Sequence, residues 1–364
     1  MRFIKKEIRN EKKYLRVGPF SVRYETDRTQ EIRTVGIGFV KIRYRYDLEA
    51  GIIYLLLFGM KIPLNTGEGS KRLAHFKIRE RLDLEECKRI LRSDLKEKLG
   101  YEPNLDDPKT YNEKILWMKL YEHNPLIRIC CDKYAVKKYV SDIIDPALVL
   151  PVLGAWDDPE KIDFDALPEQ YVLKVNWSSG FNIFVRDRSE LNREETVKKL
   201  KEWMQPYKNS YYDAFNWGYK DLQPVVYAEP YIEQFDGQVY DYKFCFANGE
   251  LLYFLIAKDR GQNLSKDFFD ADFNHLPVQS GGAPNADPLP ERPKNYERML
   301  EIAKKLAEPF LFVRVDFYEV GDTIYLGEMT FYPGGGKLPL TPVDFDYAWG
   351  ERIRLPETPN IYEN

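Results

Sequence analysis

Apolar residues alternate with basic and polar ones along the first 66 residues, most plainly in Phe39-Val-Lys-Ile-Arg-Tyr-Arg-Tyr46. They then run together in Ile52-Ile-Tyr-Leu-Leu-Leu-Phe58, with glycines at 36, 38, 51 and 59. Successive side chains of a strand point to opposite faces, so this period of two predicts strands and hairpins. From 71 to 98 the period lengthens. Leu84, Cys87, Ile90, Leu91 and Leu95 fall on one helical face with charges opposite. A loop with Pro103, Asp106, Asp107 and Pro108 follows. The expected division is a β-rich then helical region over 1–105, a main domain over 106–350 and a tail over 351–364.

Within the main domain, residues 111–121 and 132–140 read as helices, and 146–168 as a proline-punctuated connector with short strands. Gln170-Tyr-Val-Leu-Lys-Val-Asn176 reads as a buried strand, Ile183-Phe-Val-Arg186 as a second, and 194–204 as a helix. Three more strands are expected at 225–233, 240–246 and 251–257, with turns at Asp236-Gly237 and Asn248-Gly249. Residues 293–307 form the last long helix, with Pro293 expected in its first turn. The class is α+β.

Residues 313–336 carry the densest chemistry. Val313, Val315 and Phe317 alternate with Arg314 and Asp316, Gly321-Asp322 supplies a turn, and Ile324 and Leu326 resume the alternation. Strict alternation would leave Glu328 on the apolar side, so a bulge at Gly327 is required to turn it toward Arg314 and Asp316. Two hard oxygen donors beside an arginine suit a magnesium ion holding a polyphosphate, with the arginine gripping an oxyanion. The same segment also reads as a solvated hairpin with a surface ion pair.

Composition sets bounds without choosing a function. The chain has 364 residues, 44% of them hydrophobic, room for two or three domains with a large core. A net charge of -4 argues against a general nucleic-acid binder, although residues 1–50 hold 13 Lys and Arg against 7 Asp and Glu. The four cysteines, two of them adjacent at 130 and 131, fit reduced thiols in a cytoplasmic protein. The longest apolar run, 51–60, is about half the roughly 20 residues a spanning helix needs. The charged N-terminus shows no signal-peptide pattern. His75, His123 and His275 lack ligand spacing, which argues against a zinc site or a Ser-His-Asp triad.

Two further motifs fit a nucleotide site. Lys174 followed by Ser178-Ser179-Gly180 and another strand has the pattern of a flap whose lysine, hydroxyls and backbone N–H groups meet phosphate oxygens; strand-loop-strand is equally how any hairpin is built. It is not a P-loop, since no G-x-x-x-x-G-K-[ST] occurs. Ala228-Glu-Pro-Tyr-Ile-Glu233 ends a strand with a proline, which leaves main-chain groups able to read an adenine edge or simply an exposed strand terminus.

The order of these elements resembles the ATP-grasp superfamily. More closely, Asp132-Lys-Tyr-Ala-Val, Val172-Leu-Lys, Asp241-Tyr-Lys-Phe, Phe312-Val-Arg-Val-Asp-Phe-Tyr and Gly327-Glu-Met-Thr-Phe-Tyr-Pro-Gly resemble the TupA-like ATP-grasp family, linked to teichuronopeptide and capsular polysaccharide synthesis. The resemblance covers about residues 106–350. It implies an ATP-grasp fold, antiparallel sheets with helices and ATP between two subdomains, preceded here by the β-rich region. By resemblance Lys133 and Lys174 grip ATP phosphates, Ser178, Ser179 and Gly180 form the flap, Glu229 and Ile232 flank the adenine, and Asp241 lies near the ribose or triphosphate. Asp316, Glu328 and Thr330 bind Mg2+, Thr330 standing where many relatives have asparagine. Arg314 holds the acyl phosphate or its carboxylate precursor, and Lys243 and Arg260 are further residues of that anionic site. Trp177 stands where relatives tend to have histidine.

The implied reaction is attack of a substrate carboxylate on the γ-phosphate, then displacement of phosphate from the acyl phosphate by an amine. That makes the chain a carboxylate-amine ligase acting on a uronic acid or amino acid in surface-polysaccharide synthesis. It would be cytoplasmic, without a nucleic-acid partner, and the basic N-terminal region would associate with glycan or the inner membrane surface. Two alternatives stay open: a glycosyltransferase, for which Asp270-Ala-Asp272 supplies an Asp-x-Asp motif, and a non-catalytic glycan-binding module.

Overall fold

The alternating N-terminal segment becomes a seven-stranded antiparallel sheet in which each strand pairs with its sequence neighbours. Its strands are β1 (Ile4–Arg9), β2 (Lys12–Val17), β3 (Phe20–Thr26), β4 (Gln30–Ile37), β5 (Val40–Asp47), β6 (Ile52–Leu57) and β7 (Met60–Asn65). The two stretches that signalled strands most plainly are β5 and β6. The computed structural model describes these seven strands together with residues 82–177, 179–232, 240–258 and 264–358. Compact packing divides the chain into Met1–Asp83 and Leu84–Asn364.

The second unit begins with α1 (Leu84–Leu99), which covers only the later part of the helix expected over 71–98; residues 82 and 83 are not helical, and residues 66–81 lie outside the described residues. Leu91 and Leu95 are buried, and Lys88 Nζ donates to Asp106 Oδ1 at 2.7 Å, which ties α1 to the loop that follows it. The division therefore falls one helix before residue 105. Next come α2 (Tyr111–Tyr121), α3 (Pro125–Cys131) and α4 (Ala135–Ser141). Thr110 Oγ1 accepts from Glu113 N and Glu113 Oε2 accepts from Thr110 N, so a capping box fixes the start of α2.

A four-stranded sheet then forms in the order β10-β9-β11-β8, from β8 (Gly154–Trp156), β9 (Tyr171–Val175), β10 (Asn182–Val185) and β11 (Val226–Pro230). One face, with Tyr171, Leu173, Val175, Val185, Val226 and Ala228, is buried with Leu200 of α5 (Arg193–Trp203). Alternation puts Val172, Lys174, Tyr227 and Glu229 on the opposite face, Lys174 being paired with Tyr227 and Val172 with Glu229.

The larger sheet has six strands in the order β15-β14-β13-β12-β17-β18. They are β12 (Asp241–Ala247), β13 (Glu250–Lys258), β14 (Ser265–Phe269), β15 (His275–Leu276), β17 (Phe312–Val320) and β18 (Thr323–Thr330); β16 (Gln279–Ser280) pairs separately with β19 (Leu340–Thr341). Phe244, Phe254, Val315 and Phe317 face Tyr296 and Met299 of the helix Tyr296–Ala307. Fully burying a phenylalanine contributes roughly 1.5–3 kcal/mol. The opposite face carries Asp241, Lys243, Arg314, Asp316 and Glu328, in register through Lys243↔Asp316 and Asp316↔Glu328.

Two helix boundaries differ from the sequence reading. Asp132 lies outside α4 and starts it, its Oδ1 accepting from Tyr134 N and Ala135 N. Pro293 precedes its helix instead of sitting in the first turn, and its carbonyl accepts from Tyr296 N. Among the described residues no helix is long and apolar enough to cross a membrane.

Candidate active site

The hairpin of β17 and β18 forms as its alternation requires, and Gly327 is the extra residue in β18: Asp316 pairs with Glu328, while Phe317 pairs with Leu326. The expected bulge is therefore present. A Cβ at Gly327 would lie 2.8 Å from the Tyr318 ring, so any other residue there must displace the ring. By skipping one position, the bulge places Leu326 on the apolar side and Glu328 beside Asp316.

Arg314 organises what the bulge assembles. Its Nε donates to Asp316 Oδ1 and its Nη2 to Asp316 Oδ2, both at 2.7 Å, and the same Nη2 lies 3.3 Å from Glu328 Oε1 and 3.1 Å from Thr330 Oγ1. Lys243 Nζ also pairs with Asp316 Oδ2 and lies 3.6 Å from Asp241 Oδ1. Asp316 is 1% exposed. Burial alone would ease the proton off Arg314, but the Asp316 carboxylate outweighs it and drives the guanidinium pKa up.

Lysines of the smaller sheet and of the α4 region lie within electrostatic reach of this face. Asn176, fully buried at the end of β9, donates from Nδ2 to Asp132 Oδ2 at 2.9 Å, and its carbonyl accepts from Lys133 N at 2.9 Å. That clamp brings the start of α4 against the strand bearing Lys174. Burial lowers the Lys133 pKa, the field of Glu328 opposes that shift, and Lys174 reinforces it. Glu229 is buried, with Lys137 on Oε1 and Lys174 on Oε2. Burial raises its carboxyl, yet the two ammonium groups outweigh it and leave the pKa lowered.

The expected residues thus divide into those that converge and those that do not. Lys133, Lys174 and Glu229 share one charged cluster, and Lys243, Asp241, Arg314, Asp316, Glu328 and Thr330 another, linked through the field between Lys133 and Glu328. Ser179 and Gly180 are exposed at the tip between β9 and β10, Gly180 with φ +81°. Ile232 is half-buried just past β11. Ser178 and Arg260 lie outside the described residues. Trp177 is buried, its Nε1 donating to Trp203 O at 3.0 Å, so it serves the core under the flap. The Pro333–Gly336 turn is pressed onto α2: a Cβ at Gly336 would lie 2.9 Å from Leu116.

The magnesium expectation has a structural counterpart. Three oxygens, from Asp316, Glu328 and Thr330, lie about a single cationic nitrogen of Arg314, so the residues expected to hold magnesium are paired with the chain's own guanidinium. The donors are hard oxygens of the kind magnesium takes. Among the described residues no group of three or more His, Cys, Asp or Glu is arranged to hold a metal.

Sequence reading missed Lys137 and Asn176. Lys137 lies four residues after Lys133; on the helix expected over 132–140 this i, i+4 spacing would set both on one face and was the available signal, although Lys133 precedes α4 in the structure. Nothing local marks Asn176, whose partners, Asp132 and Gln223, are each more than 40 residues away in sequence.

The family model described as TupA-like ATPgrasp matches residues 113–354. Similar solved structures include the D-alanine–D-alanine ligase of Helicobacter pylori (16% identity, TM-score 0.38, covering 64% of this chain and 60% of that one). Others are the L-amino acid ligase of Bacillus licheniformis (16%, 0.37, 57% and 44%) and the D-alanine–D-alanine ligase of Bacillus anthracis complexed with ATP (14%, 0.34, 62% and 67%). The chain spans about 60% of the length of the Helicobacter ligase. No curated protein matches it. By the match over residues 113–354, with the two charged sheet faces that those residues build, the chain belongs to the TupA-like ATP-grasp family.

Proposed function

We propose that this ATP-grasp enzyme is an ATP-dependent carboxylate-amine ligase. The observation that carries the reading is the electrostatic coupling of two charged clusters: Lys133, Lys137 and Lys174 about Glu229, and Arg314 and Lys243 with Asp316 and Glu328. Such a site binds polyanions and neutralises developing negative charge, and among the described residues it offers no histidine or reactive thiol for covalent catalysis. Cys131 and Cys130 are buried, and burial pushes the Cys130 thiol up to about 12.

In this reading Lys133 and Lys174 hold nucleotide phosphates, Ser178, Ser179 and Gly180 close over them, and Glu229, Ile232 and Asp241 border the nucleoside. Asp316, Glu328 and Thr330 would hold Mg2+, which supplies charge neutralisation at the phosphates. Arg314, relieved of part of its grip, orients the substrate carboxylate, with Lys243 and Arg260 adding positive charge. The carboxylate oxygen attacks the γ-phosphorus and ADP leaves; the amine nitrogen then attacks the acyl carbon, phosphate leaves, and the nitrogen gives up its proton. A uronic acid or amino acid of a surface-glycan precursor is the substrate class. The basic N-terminal region would recruit an anionic glycan or membrane surface.

The glycosyltransferase alternative loses its motif. Asp270 Oδ1 accepts from Asp272 N and Asn274 N, and Oδ2 accepts from Asn274 Nδ2, so this carboxylate closes a local turn. ADP and phosphate release measured with Mg-ATP over a panel of uronates paired with amino acids tests the proposal. Release that requires one carboxylate and one amine together supports it. UDP release from a sugar nucleotide, without ATP turnover, would overturn it.

A further inference from the structure

Lys137 and Lys174 share the buried carboxylate of Glu229, one ammonium on each oxygen. We propose that Lys137 is a positioning residue: it keeps Glu229 neutralised so that Lys174 is free to leave for a nucleotide phosphate. The inference rests on the ATP-binding reading above and adds how that site keeps its cation available.

One cation suffices to offset a buried carboxylate, and a second is surplus there. The two lysines are not equivalent. Lys137 has a side chain 15% exposed, its Nζ also donates to Leu150 O at 2.8 Å, and it stands 6.0 Å from the Tyr227 ring centroid. Lys174 is 26% exposed at its side chain and stands one residue before the end of β9, at Val175. Lys137 is therefore the fixed partner and Lys174 the one able to exchange. When a phosphate arrives, Lys174 can trade the Glu229 oxygen for a phosphate oxygen, and Glu229 is not left as an isolated buried charge. Without Lys137 the same exchange would strand Glu229, so the nucleotide would have to compete with a dry carboxylate for Lys174. No covalent step is involved.

Titration calorimetry of the full chain with Mg-ATP tests this. Lys137→Met should weaken binding by roughly tenfold or more, a change of about one decade in Kd. Lys137→Arg, which keeps a cation on Glu229, should stay close to the wild type. Adding Glu229→Gln to Lys137→Met should recover at least about half of that lost decade, because the competing charge is gone; simple loss of packing would not be rescued this way. Wild-type affinity in Lys137→Met, or a double variant as weak as Lys137→Met, overturns the proposal. If Lys137→Met does not fold, by circular dichroism, Lys137→Arg and the double variant carry the comparison. Lys174→Ala separates the two claims: unchanged affinity there removes the nucleotide reading itself, and this inference with it.

Discussion

Arg314 grips Asp316 through both arms of its fork, Nε on Oδ1 and Nη2 on Oδ2, each at 2.7 Å. Asp316 also carries Lys243 and is sealed from solvent, whereas the Glu328 side chain is 37% exposed. The two carboxylates that the resemblance assigns to one ion therefore have unequal structural duties. Asp316→Asn takes from two buried cations their nearest counter-charge, leaving only the longer contacts to Asp241 and Glu328, and breaking a buried pair costs about 3–5 kcal/mol. Glu328→Gln should cost under about 1 kcal/mol, as for an exposed pair. Chemical denaturation of both variants checks this; equal costs would mean that Asp316 has no special share in stability.

The bulge at Gly327 makes a second test. Its absent Cβ is what lets the Tyr318 ring lie against the strand, at 2.8 Å from where that carbon would stand. Gly327→Ala should destabilise by about 1–3 kcal/mol, the usual cost of overpacking. Cutting the ring away in Gly327→Ala/Tyr318→Ala should make the glycine replacement nearly neutral relative to Tyr318→Ala alone. A double-mutant cycle with no coupling would place the strain elsewhere.

The hairpin was legible because both of its instructions are local: a period of two, and a glycine where the period must break. The strands of the N-terminal sheet and the helix Tyr111–Tyr121 were legible for the same reason. What stayed hidden depends on contacts between distant residues. Asn176 joins the start of α4 to β9 and β11, and Lys137 meets Glu229 across 92 positions of sequence, so neither partner could be chosen without the fold. Arg314 and Lys243 were both expected at this site, but the direct pairing of Lys243 with Asp316 depends on β12 lying beside β17 and enters only through strand pairing. The start of the helix at Tyr296 was misplaced because Pro293 stops short of it and serves the preceding turn.

His123 provides a pH test away from the candidate site. It stacks on Trp217 with ring centroids 4.5 Å apart, and burial, reinforced by the charge of Lys220, depresses its pKa from 6.5 to about 4. The fold thus favours neutral imidazole. Its contribution is whole above pH 6.5 and is lost as the pH falls toward about 4, because the unfolded chain takes up the proton first. Carboxylates titrate in the lower part of that window, so the wild type must be compared with His123→Phe. Melting temperatures should fall more steeply with acidification in the wild type than in the variant between pH 6.5 and 4.5. Parallel curves would show that His123 titrates alike in both states.

Arg314→Lys separates grip from charge. The guanidinium touches Asp316 in two places and reaches Glu328 and Thr330 with the same Nη2, a pattern that needs a planar fork. A lysine keeps the positive charge but holds a carboxylate at one point only, so Asp316 would depend more on Lys243. If Arg314 orients the substrate carboxylate for attack on the γ-phosphate, the nucleotide, held by lysines of the other cluster, should bind the variant with an affinity within about threefold of the wild type. The chemical step should suffer far more, by about 100-fold in ADP formation, the scale seen when one donor to a developing negative charge is removed. Calorimetry with Mg-ATP alongside ADP release, on a variant shown by its melting curve to be folded, gives both numbers. Equal losses in binding and turnover would make Arg314 a structural strut of the Asp316 network and would pass the orienting role to Lys243.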